Sequence, residues 1–342
     1  MVASSSDPFA GLPQIAEATI GSLAELDALT TGGEPRVVRG LVRQWPVCLA
    51  AANGSEALFD YLKARDRGMP VPVMEAPATA AGRFGYTDDP REYSFTRRQR
   101  PLIETLNRIL QASSRPHGPV IAIQMLAMAE HMPQLVAENP MPLLPGSARP
   151  LLWLGGMVKT QIHHDREHNL ACVVAGRRRF LLFPPDQVNN LYIGPRDRAP
   201  PLSLVDPEAP DHTRYPRFAA ALAAASVAEL GPGDALLMPR FWWHHVTSIE
   251  PINAMVNFWW GGTERALDDP HQLFLAALLA IRSLPPSERS YWQAMFAEHV
   301  FDPSAEAISH LPDGQAAYLG PLSSRERADL RRQLLAAIIK SG

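Results

Sequence analysis

Two short stretches carry residues that can hold a metal: Thr160-Gln161-Ile162-His163-His164-Asp165 and, about 80 residues further on, Phe241-Trp242-Trp243-His244-His245. A His-x-Asp pair with a distant His, set in strand-like sequence, is the donor set of a 2-His-1-carboxylate facial triad, which holds Fe(II) and leaves positions open for substrate and oxygen. The spacing has a physical reason. Side chains two apart on a β-strand point to one face, so His163 and Asp165 reach the same metal while His164 points away. The third ligand must come from another strand. Gly231-Pro232-Gly233-Asp234 reads as a tight turn, Ala235 to Pro239 as an apolar strand and His244 to Ile249 as a second one, which puts His244 at a strand entrance. His-x-Asp has a bland reading as well, because short His/Asp clusters are common on surfaces and in hydrogen-bonded structure, and a motif is a hypothesis. His245 is a rival ligand that alternation turns elsewhere. His164 and His168 read as ordinary polar residues or as hydrogen-bonding partners of the ligands.

These residues need elements to position them. Met1 to about Pro13 reads as a partly ordered tail, Ser22 to Leu29 as a short helix, and Arg36 to Val42 as a strand stopped by Trp45-Pro46. Ser55 to Arg65 is helical in pattern, Pro70 to Met74 and Arg83 to Tyr86 are strand-like, and Pro101 to Gln111 is a helix with Pro in its first turn. Pro119 to Met125 opens the half that bears the candidate ligands. The Pro-rich stretch from Gly194 to Pro216 is long and aperiodic, the signature of a functional cover or a disordered insertion, and it is taken as a cover over the site. Pro270 to Ser283, Glu288 to His299 and Ser323 to Ile339 carry apolar residues at helical spacing. The last has Ser324 as a candidate cap and Leu330, Leu334, Ala337 and Ile338 on one face.

The residues around the candidate ligands resemble the Jumonji C family in its cupin-like branch, and most closely its asparaginyl hydroxylase. One block runs from His163-His164-Asp165 through Asn169, Gly176 and Arg179 to Leu182-Phe183-Pro184-Pro185-Asp186-Gln187. A second runs from Gly231-Pro232-Gly233-Asp234 through Met238-Pro239 and Trp242-Trp243-His244-His245 to Val256-Asn257-Phe258-Trp259. The resemblance is in register from about Leu151 to Gly262 and weaker on either side. It implies a mainly β fold with helical additions: a double-stranded β-helix of the cupin or jelly-roll, Jumonji C type, with an N-terminal α/β extension (1–117), the metal-bearing core (118–263) and a C-terminal helical region (264–342).

It also implies roles. His163, Asp165 and His244 fall at the metal and catalytic positions, and Thr160, Asn169, Arg178 and Asn257 at those of the co-substrate 2-oxoglutarate, with Fe(II) as metal and O2 as oxidant. Hydroxyl and amide groups suit an acidic ligand that has lost its water. Two positions depart from the pattern. Arg178 stands where the hydroxylase has Lys, and Ala122 where it has Tyr. A guanidinium binds a carboxylate through two parallel hydrogen bonds and is not interchangeable with an ammonium. Only three of the 32 basic residues are Lys, so Arg here is also explained by composition. Strand alternation turns Arg177 and Arg179 away from Arg178. Tyr86, Gln124, Trp243 and Trp259 are the candidates for substrate contact or pocket wall, against the bland readings of a solvated polar residue and core aromatics. A carboxylate at Asp165 favours hydroxylation over halogenation, and nothing points to a histone-reading context.

Composition bounds the rest. The chain has 342 residues and a net charge of −3, with scattered Arg, which gives no electrostatic footprint for nucleic acid. Cys48 and Cys172 form no disulfide framework. No apolar run approaches membrane-spanning length and no signal-peptide layout opens the chain, so the expected compartment is the cytoplasm without membrane association. The leading expectation is an Fe(II)- and 2-oxoglutarate-dependent dioxygenase that hydroxylates a side chain of a peptide or protein. The alternatives are oxidation of a small molecule and a metal-binding cupin that has lost oxygenase activity and acts as a binding or regulatory protein. By the same resemblance the C-terminal helices are the candidate homodimer interface.

Overall fold

A computed structural model describes residues 7–115, 117–195, 201–263, 266–301, 306–312 and 317–341. The chain divides into two compact units, 1–262 and 263–342. Among the described residues fourteen strands lie in the first: β1 (Arg36–Val38), β2 (Val71–Ala76), β3 (Arg83–Phe84), β4 (Thr96–Arg100), β5 (Val120–Ala127), β6 (Arg149–Gly155), β7 (Lys159–Thr160), β8 (His163–His164), β9 (His168–Ala175), β10 (Arg178–Phe183), β11 (Ser226–Leu230), β12 (Ala235–Met238), β13 (Trp243–Ser248) and β14 (Asn253–Trp260). They form a major sheet in the order β1-β12-β9-β14-β6-β5-β2-β4 and a minor sheet β11-β10-β13-β7-β3, with β8 also on β13. Every pair is antiparallel except β3 with β7. This is the two-sheet jelly roll expected from the sequence.

Period-two alternation sorts the side chains into three apolar layers. Leu170, Cys172, Val174, Leu237, Val256 and Phe258 face outward from the major sheet against helical residues that include Leu58, Leu62, Leu106 and Ile109. Their neighbours Ala171, Val173, Leu236, Met238 and Met255 face inward and meet Phe180, Leu182 and Val246 of the minor sheet. On the far side of the minor sheet Leu181, Phe183 and Trp243 pack with Phe9, Val205 and Phe218. Each fully buried Leu or Phe contributes about 1.5–3 kcal/mol, so a one-residue slip that exchanged the layers would be prohibitive. Register is thereby fixed wherever a polar residue takes an inward position.

Several local expectations are corrected. The strand read over Arg36 to Val42 ends at Val38, because the Asp234 carboxylate accepts from the Gly40 N–H and the Arg39 guanidinium and bends the chain into turns. Phe9, expected in a loose tail, is buried beneath the minor sheet. The described part of the segment 194–216 does not cover the space between the sheets. It lies along β8, where Leu202 bridges His163 and Ser203 N–H donates to the Ile162 carbonyl.

The second unit holds helices Pro270–Ala280, Pro286–Phe296 and Ser324–Ser341. The last is capped by Ser323 rather than Ser324: Ser323 Oγ accepts from Glu326 N–H while the Glu326 carboxylate reaches back to Ser323 N–H, a capping box. The side chain of Ile338, placed on the apolar face of this helix by its spacing, lies outside the described residues. Among the described residues no helix is long and apolar enough to cross a membrane.

The β9–β10 turn is the hinge of the design, since it carries the chain from one sheet to the other two residues before Arg178. Gly176 sits there at φ 68°, and a Cβ would lie 2.3 Å from Asn253 Oδ1 and 2.7 Å from the Ile252 carbonyl oxygen. Gly176→Ala is expected to lower unfolding free energy by about 1–3 kcal/mol, read from the urea midpoint. An unchanged midpoint would mean that the turn is not under this constraint.

Candidate metal and anion site

His163 and His164 pair with β13 at the register His164↔Trp243 and His163↔His244, which brings the two separated motifs side by side. The ligand atoms of His163, Asp165 and His244 all lie within 4.8 Å of one another. His244 Nε2 is 3.8 Å from Asp165 Oδ2, and the two imidazole centroids are 4.2 Å apart. Each ring is aimed by the backbone two residues earlier: His163 Nδ1 bonds the Gln161 carbonyl at 2.7 Å and His244 Nδ1 the Trp242 carbonyl at 3.0 Å. A carbonyl only accepts, so Nδ1 carries the proton and Nε2 keeps its lone pair for a metal. Burial pushes the His163 imidazole down to about 4 and His244 well below its usual range. Burial, with Glu167 nearby, pushes the Asp165 carboxyl up to about 7. Two neutral imidazoles and a carboxylate short of positive charge make a donor set that a divalent cation would complete.

The triad opens into a narrow cavity of about 60 Å³ between the sheets. The alternation that turns His244 inward continues through Val246 to Ser248. On β10 it turns Arg178 inward, while Arg177 pairs outside with Glu229 and Glu250 and Arg179 with Asp7 and Glu229. Arg178 is buried, its guanidinium has no carboxylate partner and its Nε no hydrogen-bond partner among the described residues, and burial pushes it down to about 10. Trp153 Nε1, Asn169 Oδ1, Asn257 Oδ1 and Trp259 Nε1 are likewise buried and unpartnered, and all four residues line the same cavity. Buried polar atoms in folded proteins are nearly always bonded, so such a concentration marks a place built for a polar ligand. Fe(II) with a small carboxylate ligand fits these residues.

Of the residues singled out in the sequence, His163, Asp165, His244, Thr160, Asn169, Arg178, Asn257, Gln124 and Trp259 line this cavity, and Ala122 does too. Thr160 also ties the sheet together, its Oγ1 accepting from Val246 N–H. Two others are placed elsewhere. Trp243 shares a strand with His244 but faces the opposite layer, edge-on to His164 with centroids 4.5 Å apart. Tyr86 stacks on Tyr93 and lines a separate cavity of about 530 Å³ that also holds Lys159, Glu208 and His245. There Glu208 accepts from Lys159 and from Thr247 and lies 3.7 Å from His245 Nε2, so the rival histidine is committed to the outer face. Ser248 and Trp153 were missed as cavity residues. For Ser248 the signal was present, four residues beyond His244 on an alternating strand.

Residues 22–265 match the family model described as a cupin-like domain. Among curated proteins the chain is similar to a lysine-specific demethylase JMJ31 of Arabidopsis thaliana, 39% identical over 103 residues, which are 30% of this chain and 19% of that protein. It is 38% identical over 112 residues to the human HSPB1-associated protein 1, covering 32% of this chain and 22% of the relative. The chain thus spans about a fifth of the length of these two relatives. A longer match at 26% identity over 260 residues, 66% of this chain and 77% of the relative, is to the human bifunctional peptidase and (3S)-lysyl hydroxylase JMJD7. The extent of the family match, over a two-sheet jelly roll with its His-Asp-His cluster between the sheets, shows that the chain belongs to the cupin-like domain family.

Proposed function

We propose that this protein is an Fe(II)- and 2-oxoglutarate-dependent oxygenase that hydroxylates a C–H bond of a peptide or protein side chain. The observation that carries this is Arg178, a buried guanidinium without a carboxylate partner among the described residues, in the cavity that also holds His163, Asp165 and His244. The triad would hold the metal, and Arg178 with Thr160, Asn169 and Asn257 would hold the carboxylate groups of 2-oxoglutarate. Bound together, iron and 2-oxoglutarate supply the oxidising power that converts C–H to C–OH with O2, releasing succinate and carbon dioxide. The protein's own residues bind, orient and exclude water: Trp153, Phe180, Met238 and Trp259 give the cavity its apolar walls. Relatives named as a demethylase and a lysyl hydroxylase support an oxygenase acting on protein.

Ligand binding and folding make opposite demands on Arg178, which yields a two-sided test. Losing a buried charged partner of the ligand costs about 2–5 kcal/mol, so Arg178→Met is expected to weaken 2-oxoglutarate binding by roughly 30-fold or more in calorimetry of the Fe(II)-loaded protein. The same change removes a buried unpaired charge and is expected to raise the stability of the ligand-free protein, by about 1–4 kcal/mol if it behaves like other buried ions replaced by apolar residues. Equal 2-oxoglutarate affinity in the two proteins would refute the assignment.

We further propose that the chain is a homodimer through its C-terminal helices. Helix Pro270–Ala280 is apolar around most of its circumference, yet none of its residues is buried, and Leu279 is 84% exposed. A helix of that character needs a partner surface. Light scattering on the full chain is expected to give twice the monomer mass, and Leu279→Glu with Phe274→Glu to give the monomer. A monomeric parent chain would dispose of the interface.

A further inference from the structure

The inner face of the major sheet continues past the cavity to its last strand. Ala122 on β5 lines the cavity and is paired with Met74 on β2, which is paired in turn with Arg97 on β4. Side chains paired across strands share a face, so Arg97, and Gln99 opposite Pro72, stand on the same side of the sheet as Ala122. Gln124 is the link. It lines the triad cavity and also a groove of about 230 Å³ formed with Pro72, Val73, Met74, Arg97, Arg98 and Gln99. At that point β5 is irregular: its register with β6 shifts between Ile123 and Leu126, and Met125 takes φ 56° with its side chain half exposed. A bulge beside a site re-aims a side chain, here Gln124 at the junction of cavity and groove.

The charge of this groove is one-sided. Among the described residues no acidic one lines it. Arg100, on the same strand, is neutralised by Glu75 and Glu104, and Arg108 by Glu75. Arg97 and Arg98 have no carboxylate partner among the described residues, and Arg97 lies over the Tyr93 and Phe95 rings at 5.7 and 5.6 Å. Both are exposed on the strand that ends the sheet. Charges on such a strand also discourage edge-to-edge association, a role that needs neither the groove nor its junction with the cavity.

We propose that Arg97, on the face that continues into the cavity, binds an acidic residue of an extended peptide substrate whose modified side chain enters the cavity past Gln124, while Arg98, opposite Val73 on the other face of the edge strand, adds its charge at the rim of the groove. The inference rests on the oxygenase reading above and specifies its substrate class. β4 is two strands from β5, about 10 Å at 4.8 Å per strand, and an extended chain advances about 3.3 Å per residue. The acidic residue therefore lies roughly three residues from the one that is oxidised.

The test uses the full chain loaded with Fe(II) and 2-oxoglutarate without oxygen, and fluorescein-labelled ten-residue peptides of Gly and Ser with Lys or Asn at the centre. Each carries an Asp pair three residues from the centre, a Lys pair at the same place, or an Asp pair at the far end. Anisotropy is expected to rank the near Asp pair about tenfold tighter than the Lys pair, with the distant Asp pair between them. The double variant Arg97→Glu with Arg98→Glu should invert that order while 2-oxoglutarate affinity stays unchanged. Equal or absent binding of all peptides, or an order that survives the reversal, overturns the inference. Failure of 2-oxoglutarate to bind the parent protein would instead count against the oxygenase reading, and the peptide ranking with metal alone would still report on the groove.

Discussion

A guanidinium taken out of water without a carboxylate partner costs several kcal/mol, and the structure bears that cost at Arg178, whose Nε also has no hydrogen-bond partner among the described residues. Everything around the residue makes the loss specific rather than accidental. Its two sequence neighbours reach carboxylates on the outer face, so the chain had ion pairs within reach and Arg178 was kept from them by strand register alone. The register follows from the layering of Phe180 and Leu182 behind it and from the Gly176 turn before it. Four further unpartnered polar atoms line the same space. Among the described residues of the first unit, every buried side-chain polar atom without a partner lines this one space, as expected of a fold organised around a ligand supplied from outside.

The triad obeys the same logic from the other end of the cavity. Carbonyls at Gln161 and Trp242 fix the imidazole tautomers before any metal arrives, so the donors are preorganised. The two histidines come from strands about 80 residues apart, and only the pairing of β8 with β13 joins them. On the outer face of β13, Glu208 and Thr247 engage His245 while Lys159 pairs with Glu208, which separates the two adjacent histidines into different environments. The candidate metal ligands and the buried Arg178 thus lie on inward positions of neighbouring strands, next to the apolar layer between the sheets.

Much of this was legible in the sequence because β-structure writes its geometry with period two. His163 with Asp165, Arg178 against Arg177 and Arg179, and the outward turn of His245 all follow from alternation. Resemblance supplied the pairing of distant strands, which no local pattern encodes. What stayed hidden depends on tertiary contact. Trp243 was assigned to the cavity wall from its nearness in sequence to His244, but alternation sends it to the opposite layer. Tyr86 went to a different cavity because β3 pairs with β7 on the far side of Thr160. The Pro-rich segment was taken for a cover because length and composition say only that it is irregular. Its ion pairs with the minor sheet, Lys159 with Glu208 and Arg83 with Asp206, join residues 49 and 123 positions apart and leave no local trace.

On the proposed function one cavity would hold a metal at His163, Asp165 and His244 and a 2-oxoglutarate carboxylate at Arg178. The most direct measurement is an anaerobic titration of metal-free protein with Fe(II) and then 2-oxoglutarate, followed by visible absorption, with Asp165→Ala as control. A charge-transfer band that grows with 2-oxoglutarate to one equivalent, and is absent in the control, is the predicted result. Stoichiometric Fe(II) binding with no band on adding 2-oxoglutarate would contradict it, and would point to a metal-binding cupin whose buried arginine serves a different anion.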